Sequence, residues 1–467
     1  MATRAAQDLT QGPLWRRMLD LAVPAAIGMT FSTLYNVVDV FYAGLISTDA
    51  QAGMAIAFQI FFLLMAFGLG LGTAMSALVG NALGRKEREE AGEIASHGVV
   101  GGAIGSAILM IVGFFIAPVL MQLTSEPGAY RQMGLQYFGV LILAMPSFVL
   151  AFGANGALQA QGDTVSMQRA LIAAFFANLI LNPLFVFGIP GLWGGIGFDG
   201  IAVATVVSQT GVAAWVLWRL SGTELWPGWT RQILRLHAGR LKEIAAQVLP
   251  SASTMFVMIF AGFVTQFYLK QFGPSAVAAY GVALRVEQIF LLPVFGLTGA
   301  LLPVTAQAFG ADMTDRARAG FWVCIKLGLV YMAVACPVLW VFSGWLMGLF
   351  SDNPDVVQVG VSYLRVDGLI LPLYMALFSI NAFLQALKKP GMAFWIGFYR
   401  QALAMPLFIW IWVQVLGIGV LGVWLGIATA VATGLIVALA LLERVARPRI
   451  GSLLAYPNPD LAAQKNQ

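Results

Sequence analysis

The chain is poor in charge. Asp, Glu, Lys and Arg make up 10% of its 467 residues, against 60% hydrophobic, and a soluble domain needs no such apolar surface. Lipid is the solvent this composition asks for. Cysteine is scarce too: Cys324 and Cys336 both lie in apolar stretches, which argues against a disulfide framework and for packing. The two histidines, His97 and His237, both read as lying near the cytoplasmic face, so a histidine metal site is not expected. No Walker motif is present, so ATP is not the energy source in this chain. No catalytic His, Cys and metal constellation stands out either, and an enzyme is not expected. The first apolar run is too long for a signal peptide and lacks a small-residue cleavage site, so it reads as a first transmembrane helix.

What is present is a series of apolar runs punctuated by Gly, Pro and charged clusters. They predict twelve spans, at 14–44, 53–83, 91–122, 128–160, 166–188, 197–220, 239–270, 276–309, 316–349, 355–387, 392–416 and 419–446. The fold class is therefore an all-α integral membrane protein. Basic residues gather in alternate loops: Arg4, Arg16 and Arg17; Arg85, Lys86 and Arg88; Arg231, Arg235, Arg240 and Lys242; Arg316 and Arg318; Lys388 and Lys389; Arg444, Arg447 and Arg449. The other loops hold little beyond Arg131 and Lys270 and lean acidic, through Asp49, Glu126, Asp199, Asp352 and Asp355. The positive-inside rule then puts both termini in the cytoplasm. The net charge of +5 sits mostly in these loops, so it bears on topology and not on a nucleic-acid partner.

The chain is written twice. Shifted by 226 positions, Pro24 meets Pro250, Met29 meets Met255, Phe41-Tyr42 meets Phe267-Tyr268, and Gly70 meets Gly296. Ala82, Gly84, Tyr137, Pro146 and Asn155 meet Ala308, Gly310, Tyr363, Pro372 and Asn381. Leu158-Gln159-Ala160 meets Leu384-Gln385-Ala386, and Gly200-Ile201-Ala202 meets Gly426-Ile427-Ala428. Chance matching of apolar residues does not keep Pro, Gly, Gln and Asn in register over so long a reach. Six spans per copy, an even number, give the copies the same orientation and relate them by an axis along the membrane normal. The expected organisation is a cytoplasmic N-terminus (1–13), a first lobe (14–221), a cytoplasmic linker (222–238), a second lobe (239–446) and a cytoplasmic tail (447–467), with Trp226 and Trp229 of the linker at headgroup level. Two such bundles facing each other leave a central cavity that rocking opens to each side in turn.

Charge inside a span is costly and marks function or a structural pair. Asp39 is the one acid in the apolar spans of the first copy, with Asn36 and Tyr35 three and four positions before it on the same helix face. Asn178, Asn182 and Thr205 are polar groups at comparable depth that complete an oxygen-rich set. Such a set suits a hard monovalent cation, and a desolvated carboxylate also gains proton affinity. The two asparagines serve equally well as interhelical bridges. The second copy is no chemical duplicate: Thr265 replaces Asp39, while Arg285, Glu287 and Asp367 are added. A salt bridge from Arg285 or Arg365 to Asp367 is one reading of these residues, and a second proton or substrate site at Glu287 or Asp367 is the other. Met29, Phe31, Phe148, Phe152 and Met255 are candidates to line an adaptable pocket for aromatic cations. Eight span prolines, at 24, 146, 183, 250, 293, 303, 372 and 406, shape helices, and a subset could hinge.

The segments LAVPAAIGMTFSTLYNVVDVFYAG, GLGLGTAMSALVGNALGRKEREEAG, ALQAQGDT, AYGVALRVEQIFLLPVFGLTGALLPVTAQAFGA and SINAFLQALKKP, in this order and spacing, resemble those of the multidrug and toxic compound extrusion (MATE) family of secondary transporters. The resemblance runs from about residue 14 to 446. It implies two six-helix lobes in a V and export of organic cations in exchange for H⁺ or Na⁺. It also implies that Asp39 and Asn178 belong to the family's first-lobe coupling site, with Thr205 close to its hydroxyl residue, and that Asp367 corresponds to the second-lobe aspartate of one branch. Two positions depart from the pattern. Asn182-Pro183 stands where many members carry Asp-Pro, and Met258 where one branch is acidic in span seven; the lost charge at 182 tilts the balance from Na⁺ toward protons. The expectation is an inner-membrane antiporter that exports amphipathic cations, acting as a monomer among membrane lipids. It needs no cofactor and no metal beyond Na⁺ at Asp39 and Asn178. The alternatives are a flippase for a lipid-linked or other amphipathic metabolite, an intramembrane enzyme and a passive channel.

Overall fold

The computed structural model describes residues 7–124, 127–189, 191–226 and 237–453. Arg4, Glu126, Trp229, Arg231, Arg235 and the tail beyond 453 lie outside them. The described residues form twelve helices long and apolar enough to cross a membrane. These are α1 (Leu14–Ile46), α2 (Thr48–Gly84), α3 (Arg88–Leu123), α4 (Ala129–Ala160), α5 (Val165–Phe187), α6 (Asp199–Ser221), α7 (Ala238–Phe272), α8 (Pro274–Gly310), α9 (Thr314–Gly348), α10 (Pro354–Ala386), α11 (Pro390–Val415) and α12 (Val420–Ile450). Hydrocarbon offers no partner to an unpaired N–H or C=O, so an apolar chain closes its backbone bonds within each segment. Every predicted span is present, with ends that move by a few residues. Large apolar side chains cover the outside, among them Phe115, Leu123, Phe267 and Leu369, each more than 70% exposed.

Two helices are locally irregular. In α4 a 3₁₀ turn, Ile142–Ala144, precedes Pro146. In α11 two π-helical stretches, Tyr399–Ala404 and Ile411–Val415, flank a short segment that holds Pro406. Proline removes a backbone donor, and the helix changes its winding around the gap.

The repeat extends to backbone detail. The turn after α2 places Lys86 in the left-handed region (φ 63°), and the turn after α8 does the same with Asp312 (φ 56°). Gly162 after α4 (φ 81°) is matched by Lys388 after α10 (φ 55°). Both pairs are 226 residues apart.

The chain forms two compact units, and their boundaries differ from a simple cut at the linker. Of the described residues, the first holds those from Ile27 to Ala252 with Gln7 and Asp8; the second holds Leu9–Ala26 and those from Ser253 to Leu453. The opening half of α1 thus packs with the second unit, and the opening half of α7 with the first. Each changes unit two residues after a proline, Pro24 or Pro250. Glycine permits the close approach. A Cβ at Gly70 would lie 2.9 Å from the Val248 carbonyl, and one at Gly296 would lie 2.6 Å from the Ala22 carbonyl. These contacts are again equivalent under the 226-residue shift.

Candidate functional site

Three helices of the first unit each bring a polar pair to one place. Residues three or four apart share a helix face, so Tyr35 and Asp39 of α1, Asn178 and Asn182 of α5, and Thr205 and Ser208 of α6 point together. All six are buried, with Asn178 and Asn182 wholly so. The Asn178 amide donates to Asp39 Oδ1 at 3.0 Å and the Asn182 amide to the same oxygen at 2.8 Å. The Thr205 hydroxyl donates to Oδ2 at 3.2 Å. Asn182 also donates to Asn178 Oδ1 at 2.9 Å, while its own Oδ1 is buried with no partner. The Tyr35 hydroxyl meets Ser208 Oγ at 2.6 Å.

Neutral donors alone hold this carboxylate. The ion pairs among the described residues bring no cation to Asp39. A buried carboxylate without a counter-cation is costly to keep charged, so the arrangement invites a proton or a small cation from outside. Oxygens of Asp39, Asn178, Asn182 and Thr205 offer hard ligands to such an ion. Asn36 does not join them: its amide donates to the Ser32 carbonyl at 2.9 Å, four residues back on its own helix. Sequence reasoning missed Ser208, and also Tyr137, whose buried phenol is close enough to Asp39 to interact electrostatically. The three-residue spacing from Thr205 was a signal for Ser208.

The second unit holds a different polar group. Glu287 of α8 accepts a 2.5 Å hydrogen bond from the Tyr363 hydroxyl of α10. Asp367, one turn on from Tyr363, is buried, and neither of its carboxylate oxygens has a partner. The rings of Tyr280, Tyr363 and Trp424 enclose the acids, with centroids 4.9 to 5.9 Å apart. Arg285 is not part of the group, because it sits on the exposed side of α8, two residues from Glu287. Arg365 lies over Trp340 at 5.2 Å. The anticipated salt bridge to Asp367 is therefore not formed. The cation that does interact with Glu287 is Arg400, on the first π-helical stretch of α11 and 5.5 Å above the Tyr374 ring.

Phe31 packs edge-on to Phe175 (5.5 Å) and Phe148 to Phe61 (5.3 Å), while Phe152 lies against Gly68 and Gly72. Met29 is 38% exposed in the first unit, and Met255 belongs to the second. Cys324 and Cys336 are free thiols. His97 and His237 come together with Glu93, their ligand atoms within 4.8 Å of one another.

The family model MatE matches residues 24–184 and again 250–410. The chain belongs to the MATE family. The two matched segments start at 24 and 250 and end at 184 and 410, the same 226-residue offset as the repeat. A FAD transporter of Shewanella oneidensis is 28% identical over 75% of this chain and 77% of its own length. The multidrug export protein MepA of Staphylococcus aureus is 23% identical, covering 85% of this chain and 87% of the relative. YoeA of Bacillus subtilis, a probable multidrug resistance protein, is 24% identical over 92% and 94%. Solved structures share the fold. A MOP superfamily transporter from Pyrococcus furiosus superposes with a TM-score of 0.88, at 22% identity, over 96% of this chain and 99% of that one. An outward-facing multidrug resistance MATE transporter gives 0.89 at 21% identity, over 96% and 99%. This MATE protein is thus a multi-pass membrane transporter.

Proposed function

We propose that this MATE protein is a secondary active antiporter of the cell inner membrane, with both termini cytoplasmic. It exports amphipathic organic cations in exchange for H⁺ or Na⁺, and Asp39 couples the two fluxes. The observation that carries this reading is the buried Asp39 carboxylate, held by Asn178, Asn182 and Thr205 with no cationic partner among the described residues. Gaining a proton or cation there changes the charge at the meeting point of α1, α5 and α6. An ion shifts a conformational equilibrium only through differential affinity for its states, and a network spread over three helices is a means to that end. Asn182 in place of an acid leaves one carboxylate in the set, which favours the proton. The protein acts as a monomer among lipids and uses no cofactor.

The test is uptake of a fluorescent cation into inverted vesicles under ΔpH alone or a Na⁺ gradient alone, for the wild type and Asp39→Asn. Uptake driven by one gradient and lost in Asp39→Asn supports the proposal. Unchanged transport by Asp39→Asn removes the residue from the mechanism.

One observation favours a second substrate class. Arg400 presents a cation over Tyr374, which stacks on Phe378 at 6.1 Å, and that combination suits an anionic aromatic molecule. The relative named as a FAD transporter points the same way, and a flavin nucleotide in the vesicle assay distinguishes the two classes. A flippase for a lipid-linked pyrophosphate has less support, since Arg285 and Arg365, its two candidate cations, are respectively exposed and stacked on Trp340.

A further inference from the structure

The chain's two histidines are 140 residues apart in sequence, yet their rings are 5.6 Å apart. His97 lies one turn after Glu93 on α3, so both face the same way. His237 immediately precedes α7. The His237 ring Nδ1 is 3.5 Å from Glu93 Oε1, and His97 Nε2 accepts the His237 backbone N–H at 3.1 Å. His97 Nδ1 is engaged with the Glu93 carbonyl at 2.8 Å. That bond makes Nδ1 the protonated nitrogen and leaves the lone pair on Nε2, the atom aimed at His237.

We propose that Glu93, His97 and His237 form a binding site for a borderline divalent transition-metal ion of the Zn²⁺ class, supplying two imidazole nitrogens and one carboxylate oxygen. Imidazole and carboxylate are the ligands such ions prefer, and three protein ligands leave a position open to water. The surrounding charge is favourable. Glu87, Glu90, Glu93 and Glu243 share two guanidinium groups, those of Arg85 and Arg240. Arg240 holds Glu90 at 2.8 Å and Glu93 more loosely at 3.4 Å, so Glu93 can turn to a metal without stranding the arginine. Among the described residues, a surface depression lined by Glu93, His237, Arg240 and Glu243 leads to the group.

The contacts present also set the character of the site. Binding through His97 Nε2 displaces the His237 N–H and exchanges one hydrogen bond for coordination. The ion is therefore a reversible clamp between α3 and the start of α7, and not a structural metal needed for folding. Both ends of the clamp belong to the first compact unit.

The test is titration of the full-length, tag-free protein in detergent with Zn²⁺ by calorimetry, and with Co²⁺ by visible absorption. The expected result is one ion per chain, with the intense d–d bands of a four-coordinate N/O site. Affinity should fall at least about tenfold in His97→Gln or His237→Gln. His237 is exposed, so its variant tests the site without burdening the fold. Equal stoichiometry and affinity in the double histidine variant, or no binding above background in the wild type, overturns the proposal.

Discussion

The two units carry their buried acids at different positions of the repeat. Under the 226-residue shift the first unit's Tyr35, Asp39, Asn178, Asn182, Thr205 and Ser208 become Ala261, Thr265, Ala404, Phe408, Val431 and Gly434. In return, the second unit's Tyr280, Glu287, Asp367, Tyr374 and Arg400 stand where the first has Met54, Phe61, Leu141, Phe148 and Ala174. Apart from Thr265 opposite Asp39, each copy carries an apolar residue or glycine where the other carries these polar groups. The scaffold has stayed common while the chemistry has diverged: Tyr137 packs against Phe198 at 5.3 Å in one unit, and Tyr363 against Trp424 at 4.9 Å in the other. Even the accommodation is local. Gly434, the counterpart of Ser208, leaves room for Arg400, whose Cγ would lie 2.9 Å from a Cβ built there. Two unlike sites stand within one duplicated frame, and the proposed antiport assigns the coupling ion to the first of them.

The division can be broken or sharpened by mutation. Asp39→Asn should reduce gradient-driven transport at least about tenfold, within the roughly 5–150-fold range of typical coupling energies, as read by the vesicle assay. Asp367→Asn should stay within about fivefold of the wild type in that assay; an equal loss would mean that the second unit shares the coupling. Gly434→Ala should displace Arg400 and lower stability by about 1–3 kcal/mol through overpacking, measured as a shift in thermal melting in detergent.

Asp163 gives a pH-dependent effect outside the spans. Burial alone would raise its carboxyl, but hydrogen bonds from Ser166 and the Arg219 guanidinium outweigh burial and hold it below the ordinary 3.8. A depressed pKa contributes stability above the unfolded value that is lost as pH falls through the folded one. Asp163→Asn should therefore cost about 1 kcal/mol near neutrality, after solvent screening, and the difference from the wild type should close below pH 4. Melting curves across pH read this directly. Asn36→Ala should change transport and melting least, within about 0.5 kcal/mol, because its amide serves only the Ser32 carbonyl.

Much of this was legible in the sequence, and the exceptions have physical causes. Spans follow from hydropathy because the solvent imposes them. Asp39 stood out as a charge in an apolar run, and the four-residue spacing of Asn178 and Asn182 put both on one face of α5. Arg400 satisfies the same criterion, as the one charge in α11, but its π-helical setting and its proximity to Glu287 arise only in the folded chain. Arg285 was nearer to Glu287 in sequence, yet a spacing of two puts it on another face. The meeting of His97 and His237 depends on α3 and α7 packing at one end, which no spacing encodes. Gly70 and Gly296 were visible as a matched pair; the half-helices they face were not.

Those half-helices bear on how the protein is made. During synthesis the amino-terminal bundle lacks one of its walls until the ribosome has passed residue 252, well into the other repeat. Residues 9–26 belong with a bundle whose remaining helices are made only after residue 252. Severing the gene between the repeats should thus yield two fragments that are each orphaned alone and mature only when expressed together.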